Sequence, residues 1–372
     1  MSRSMTAPAA PPVPGSPASS PGTGAPSAPA SPVVRDVVEG RLARRRRRRI
    51  LTILLVVAVA AMLAASLMLG RTVYGPLDVL RVIAGEPVSG ASFTVGELRL
   101  PRAVLGALAG SAFGIAGVTT QTMLRNPLAS PDVIGISSGA SAAAVIGIVI
   151  LSMDEGAVSL LALGGALATA LTIYLLAHRG GFAGTRLILI GIGVAAMLNS
   201  VVSYVLSRAA AWDLQTAMQW LTGSLNNASW QTIAPLAAAW IVLVPVMIAR
   251  EDSLDVLRLG DDSATALGVR VGATRVLLIV GAVALLAFAT AASGPIAFVA
   301  FMSGPIAARL AGPGSRLLVP SALVGALLVL VSDFAGQFAF DTRYPVGVIT
   351  GVLGAPYLVF LLIRTNRAGG SL

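Results

Sequence analysis

Ten stretches of the chain are apolar for long enough to cross a lipid bilayer, and that recurrence limits the fold more than any other feature. A hydrocarbon core about 30 Å thick calls for roughly 20 apolar residues in a helix. Segments of about that length fall at 50–70, 101–124, 133–152, 157–177, 186–206, 232–249, 274–292, 296–311, 317–333 and 345–363. Hydrocarbon offers the backbone no hydrogen-bond partners, so such runs fold as helices that satisfy their own amides. The expected architecture is an all-α, polytopic membrane protein of about ten transmembrane helices. Composition agrees, since 56% of the 372 residues are hydrophobic and only 11% are charged, against about 25% charged in a soluble domain. The eighth segment is short and broken by Gly294-Pro and Gly304-Pro, which implies a bent or tilted helix.

Arginine placement supplies an orientation. All 26 basic residues are Arg, and with an inside N-terminus and ten crossings 20 of them fall on the cytoplasmic side and 6 outside. Positive charge collects on the cytoplasmic side of membrane proteins, so both termini are expected there. Residues 1–49 read as a disordered Pro/Ala/Ser-rich tail ending in the run Arg44–Arg49, residues 50–365 as the ten-helix domain, and 366–372 as a short tail. The apolar run after the arginines is longer than a signal-peptide core. The arginines therefore read as an orienting anchor that meets anionic lipid, and the net charge of +10 does not point to nucleic acid.

The residue inventory excludes several chemistries. There is no Cys and one His, His178, so no disulfide, thiolate metal site or two-imidazole site is available. Without Lys the chain has no Walker A loop, Schiff base or Ser–Lys dyad. No catalytic residue and no metal ligand set is expected. Energy for any driven work would come from an ion gradient or another subunit. Ion-coupled transporters usually keep an ionisable group at mid-membrane, and none lies near the middle of these spans, which carry only small polar residues such as Gln121 and Asn199. A single histidine and scattered acids also argue against an intramembrane enzyme.

Three segments are more than span. After the second helix, Asn126-Pro-Leu-Ala-Ser-Pro131 forces a turn, because proline restricts itself and the residue before it. The loop from Arg250 to Arg275 reads as two short helices, Ser253–Leu259 and Asp262–Leu267, split by Gly260, with Ser253 and Asp261 as N-caps. Its leucines form an apolar side opposite Asp252, Asp255, Asp261 and Asp262, which suits a docking surface. The third is Gly294–Arg309, with its two Gly-Pro pairs.

Together these segments resemble the permease subunits of ABC importers for iron–siderophore, haem and cobalamin, the FecCD family. The matches run in order: Leu98-Arg-Leu-Pro-Arg102; Gly110 through Gln121 to Pro131; Gly135-x-x-x-Gly-Ala140; Trp220-Leu-Thr-Gly-Ser224; Leu257-x-Leu-Gly with Ala266-Leu-Gly-Val269; Gly294-x-Ile-x-Phe-Val299; and Pro345-Val-Gly-Val-Ile-Thr350 with Gly354-Ala-Pro356. Each motif alone is common; seven in order over residues 50–365 are specific.

The resemblance implies a permease of the bacterial cytoplasmic membrane that binds no cofactor itself. A second permease (a like or a related chain) would complete the translocation path. Two ATPase subunits would bind inside and use ATP, and an extracytoplasmic binding protein would deliver a ferric siderophore, or alternatively cobalamin or haem. Residue by residue, Arg99 and Arg102 match arginines that dock the binding protein. A third such arginine is Gln337 here, with Arg343 as its substitute. Asn126, Pro127 and Leu128 match a cytoplasmic gate, and Gly184 and Thr185 a second constriction. Leu254, Leu257, Leu259, Gly260, Ala266, Leu267 and Gly268 match the segment that seats in the ATPase. Where many members read Pro-His, this chain has Pro305-Ile306.

Overall fold

The computed structural model describes residues 32–131, 135–178, 184–312 and 316–369, and all regular structure among them is helical. The helices are α1 (Pro32–Met68), α2 (Pro76–Ile83), α3 (Leu100–Met123), α4 (Ile136–Val149), α5 (Glu155–His178), α6 (Gly184–Ser207), α7 (Ala211–Thr222), α8 (Trp230–Ala249), α9 (Glu251–Leu257), α10 (Asp261–Ala266), α11 (Val271–Ser293), α12 (Val299–Ala311), α13 (Leu318–Phe338) and α14 (Val346–Gly369). Eight of the described helices are long and apolar enough to cross a membrane, and two more, α4 and α12, are apolar but shorter. These ten match the ten expected segments in order.

The boundaries differ in instructive places. Helix α1 starts at Pro32, so the Arg44–Arg49 run expected in a disordered tail is helical; residues 1–31 lie outside the described residues. Contacts divide the chain after Arg44, and the bundle is Arg45–Leu372. The second span starts at Ser92 because residues Ser92–Arg99 wind as a π-helix directly into α3. The winding changes next to Pro101, which has no N–H to continue the ladder upstream. Helix α14 runs on to Gly369, into the segment expected as a C-terminal tail. Short helices α2 and α7 carry too few consecutive apolar residues to register as spans.

Helix α3 is the axis of the bundle, with 78% of its apolar window buried. It packs against α13, α11, α12 and α8. Its glycines set how close those neighbours come. A Cβ at Gly110 would lie 2.5 Å from the carbonyl oxygen of Gly325, and Cβ atoms at Gly114 and Gly117 would collide with the carbonyls of Ser321 and Ala300. Small residues at helix crossings drive association in lipid, where burial of apolar surface gives little. By contrast only 11% of the α1 window is buried, and α1 touches the bundle mainly through Leu55 and Leu67.

The break between α11 and α12 is sharp. Gly294 has φ +68 and Phe298 φ +65, so the chain turns out of one helix and into the next within five residues. Ile306, where the resemblance leads one to expect a histidine, fills apolar space among Leu55, Phe301, Met302 and Leu361.

Candidate functional sites at the two ends of the bundle

The entrance of α3 holds Arg99 and Arg102, one helical turn apart. Arg99 donates to the carbonyls of Leu67 (2.9 Å) and Thr72 (2.8 Å), and its guanidinium lies 5.2 Å from the centre of the Tyr74 ring. It thereby closes the end of α1. Arg102 makes a two-pronged contact with Asp333, Nε to Oδ2 at 2.9 Å and Nη2 to Oδ1 at 2.7 Å, and its Nη1 donates to Asn226 Oδ1 at 2.8 Å. Gln337 donates to the same carboxylate at 2.7 Å. This pair is sheltered, with side chains 19% and 8% exposed. Both expected docking arginines are thus engaged within the chain, and Arg102 joins α3 to α13 across 231 residues of sequence. Arg343, between α13 and α14, is exposed.

The opposite end brings the turn after α3 together with α9 and α10. Asn126 Oδ1 accepts from Leu128 N at 2.9 Å, a side-chain turn that fixes the Asn-Pro-Leu step. Just before it, Arg125 has φ +49, a left-handed conformation that costs a non-glycine residue roughly 1–2 kcal/mol. Leu128 packs by Phe301, Met302 and Leu361. The turn is bolted down by Gln121, whose Nε2 donates to Pro127 O at 3.0 Å and Phe301 O at 2.9 Å. Phe301 is four residues before Pro305, so its carbonyl has no helical donor. Gln121 replaces the bond that Pro305 removes. The sequence marks Gln121 as a polar residue in a span; its two partners become visible only in three dimensions. Gly184 opens α6, and the side chain of Thr185 lies outside the described residues.

The α9–α10 segment divides its apolar residues between two faces. Leu254 and Leu257 are buried, at 3% and 2% exposure, whereas Leu259 and Leu267 are 64% and 63% exposed. The first two anchor the segment to the bundle; the second two face outward beside Gly260, Ala266 and Gly268. The expected caps are not used. The helices start at Glu251 and Asp261, with Arg250 and Gly260 in the cap positions and no side-chain cap bond. Glu251 caps another helix, accepting from Leu318 N at the start of α13 at 2.8 Å. Burial pushes the Glu251 carboxyl above its usual range, countered by that bond and by Arg316 and Arg48. Burial also raises Asp255, against the pull of Arg258 and Arg316. Asp252 pairs with Arg316. Asp261 Oδ1 takes Arg275 at 2.9 Å and Arg125 at 3.1 Å. A cavity of about 540 Å³ lies here, lined by Arg125, Asn126, Ile188, Leu259, Asp261 and Arg275 among others.

Helix α6 carries a polar, exposed face. Asn199, Ser200 and Ser203 are exposed on it in company with Met197 and Tyr204. Among the described residues no group of three or more His, Cys, Asp or Glu could hold a metal ion.

Ten apolar helices around a glycine-lined axis, with the charged clusters gathered at the two ends, define a polytopic, all-helical membrane protein. The chain belongs to the FecCD transport family, whose model matches residues 53–364. It is 38% identical to the ferric enterobactin transport system permease protein FepG of Escherichia coli (strain K12) over 291 residues, 78% of this chain and 88% of that protein. It is 39% identical to the achromobactin transport system permease protein CbrC of Dickeya dadantii (strain 3937), over 82% of this chain and 89% of that one. A solved metal-chelate type ABC transporter in an inward-facing conformation superposes with a TM-score of 0.74 at 24% identity, covering 85% of this chain and 99% of its own; that likeness speaks for the fold.

Proposed function

We propose that the chain is the permease subunit of an ABC importer that passes a ferric siderophore across the bacterial cytoplasmic membrane. The observation that carries the substrate class is a set of relatives named for ferric enterobactin, achromobactin and iron(3+)-hydroxamate transport, 35–39% identical over about four fifths of the chain. In this reading both termini and the α9–α10 segment are cytoplasmic, as the arginine asymmetry supports. Leu259 and Leu267 seat in a cleft of one of two ATPase subunits, which use the ATP. The polar face of α6 meets a second permease across the path, since hydrocarbon would leave Asn199 unsatisfied. The turn at Asn126, Pro127 and Leu128, with Gly184 and Thr185, closes the inner end. A binding protein delivers the chelate at the Arg99 end. There the exposed Arg343 offers a guanidinium to its carboxylates, while Arg99 and Arg102 shape the surface.

A metal held inside its chelate needs no protein ligands, so the reading requires no metal site. A cobalamin permease of Halobacterium salinarum is 37% identical over 274 residues, which makes cobalamin the alternative cargo, with haem beside it; an ion-coupled carrier is the lesser alternative. Uptake of radiolabelled iron as ferric enterobactin, of cobalamin and of haem in cells lacking this gene separates the three. The expected result is loss of iron uptake alone, restored by the gene. Loss of cobalamin or haem uptake with unchanged iron uptake reassigns the cargo.

A further inference from the structure

We infer that Asp261 is the strut that carries movement of α10 to the Asn126-Pro127-Leu128 turn, acting through Arg125. The inference rests on the importer reading and names a linkage within it. Asp261 is the first residue of α10. Its Oδ1 is shared by Arg275 Nη2 at 2.9 Å and Arg125 Nη2 at 3.1 Å, and Arg275 also reaches Oδ2 at 3.1 Å. Arg275 is rooted in α11 with a side chain 14% exposed, whereas Arg125 is 47% exposed. One carboxylate therefore spans an anchored cation and a cation at the turn.

The surroundings give this link something to move and room to move it. Helix α10 lies between Gly260 at φ +108 and Gly268 at φ +81, and no neighbouring atom approaches the Cβ position of either. Such glycines act as hinges because the left-handed region is open to them. Helix α9, by contrast, is fixed through Leu254, Leu257 and the Glu251 cap. The exposed Leu259 and Leu267 flank α10 and offer a grip to an outside body. Arg125 holds a backbone conformation that side chains rarely adopt, so a change at its guanidinium can release the turn beside it. Asn126 follows directly, and residues of the turn and of α10 both line the cavity of about 540 Å³. A merely static surface pair would contribute little to stability and nothing to the turn's response.

The chain has no Cys, so Leu128→Cys gives this chain one reporter, at the turn. In membrane vesicles containing the assembled importer, its maleimide labelling rate is measured with and without ATP. ATP is expected to change that rate. Arg125→Gln, with ATP hydrolysis continuing, is expected to shrink the change by about fivefold, the upper range for a half-exposed ion pair, and Arg125→Lys to restore it. Asp261→Asn should shrink it equally, and the Arg125→Gln/Asp261→Asn double variant no further than either single change. An ATP response that survives Arg125→Gln, or losses that multiply in the double variant, overturns the strut. If Leu128→Cys alone shows no ATP response, the importer reading fails and the strut with it.

Discussion

Pro305 deprives the Phe301 carbonyl of its helical donor, and Gln121, from another helix, supplies one while also holding Pro127. Gln121→Leu leaves that buried carbonyl without a partner and should destabilise the protein by about 1–3 kcal/mol, read by thermal unfolding in detergent. At the other end, Asp333→Asn leaves the sheltered Arg102 guanidinium without its counter-charge. A loss of about 3 kcal/mol is expected, whereas Arg102→Met with Asp333→Leu should recover most of it, since an apolar pair of similar volume removes both charges. Glu251 and Asp255 set a pH dependence. Their carboxyls sit above the usual range, so the folded state favours their protonated forms. Their contribution to stability is present below the ordinary carboxylate range and is lost as pH rises through the raised values. Glu251→Gln keeps an oxygen for Leu318 N and should flatten that loss in unfolding scans across pH. A stability profile in that variant as steep as the parent's would count against the burial argument. None of these pairings was legible in the sequence. Gln121 stood out as polar and Asp333 as a span end, but partners 180 and 231 residues away are set by how helices cross, and no local pattern encodes that.

Hydropathy locates helices that must satisfy themselves in lipid, and it found the ten apolar segments for that physical reason. It is blind where amphipathic surface decides, so α2 and α7 were not legible. Nor was the π-wound entry to α3, which depends on how Pro101 interrupts the ladder. The partners that the α3 glycines meet in α13 and α12 were not legible either. Gly114→Val would push a side chain into the Ser321 carbonyl and should cost about 3 kcal/mol or prevent folding, as overpacking at a close crossing does. In the α9–α10 segment the sequence showed apolar residues but not which way each faced. Leu259→Asp with Leu267→Asp should abolish co-purification of the ATPase while leaving the permease folded. Leu257→Asp should unfold the segment, because that side chain is 2% exposed. Equal behaviour of the two variants in a pull-down and a melting assay would contradict this division of labour.

For the molecule as a whole, the decisive residues are ones it lacks. Without Lys it has no P-loop of its own, and its spans keep ionisable groups away from mid-membrane. In the proposed importer the energy source is a separate ATPase subunit, in keeping with membership of a transport family whose members are permeases of ABC importers. The central claim is that this chain is the path while ATP is consumed elsewhere. The most direct measurement uses proteoliposomes containing the permease, its ATPase and the binding protein, with ferric enterobactin as the offered cargo and iron as the tracer. Uptake should require ATP on the ATPase side, stop when the ATPase lysine is replaced, and ignore imposed proton or sodium gradients. Uptake driven by such a gradient with no ATP present would contradict the account.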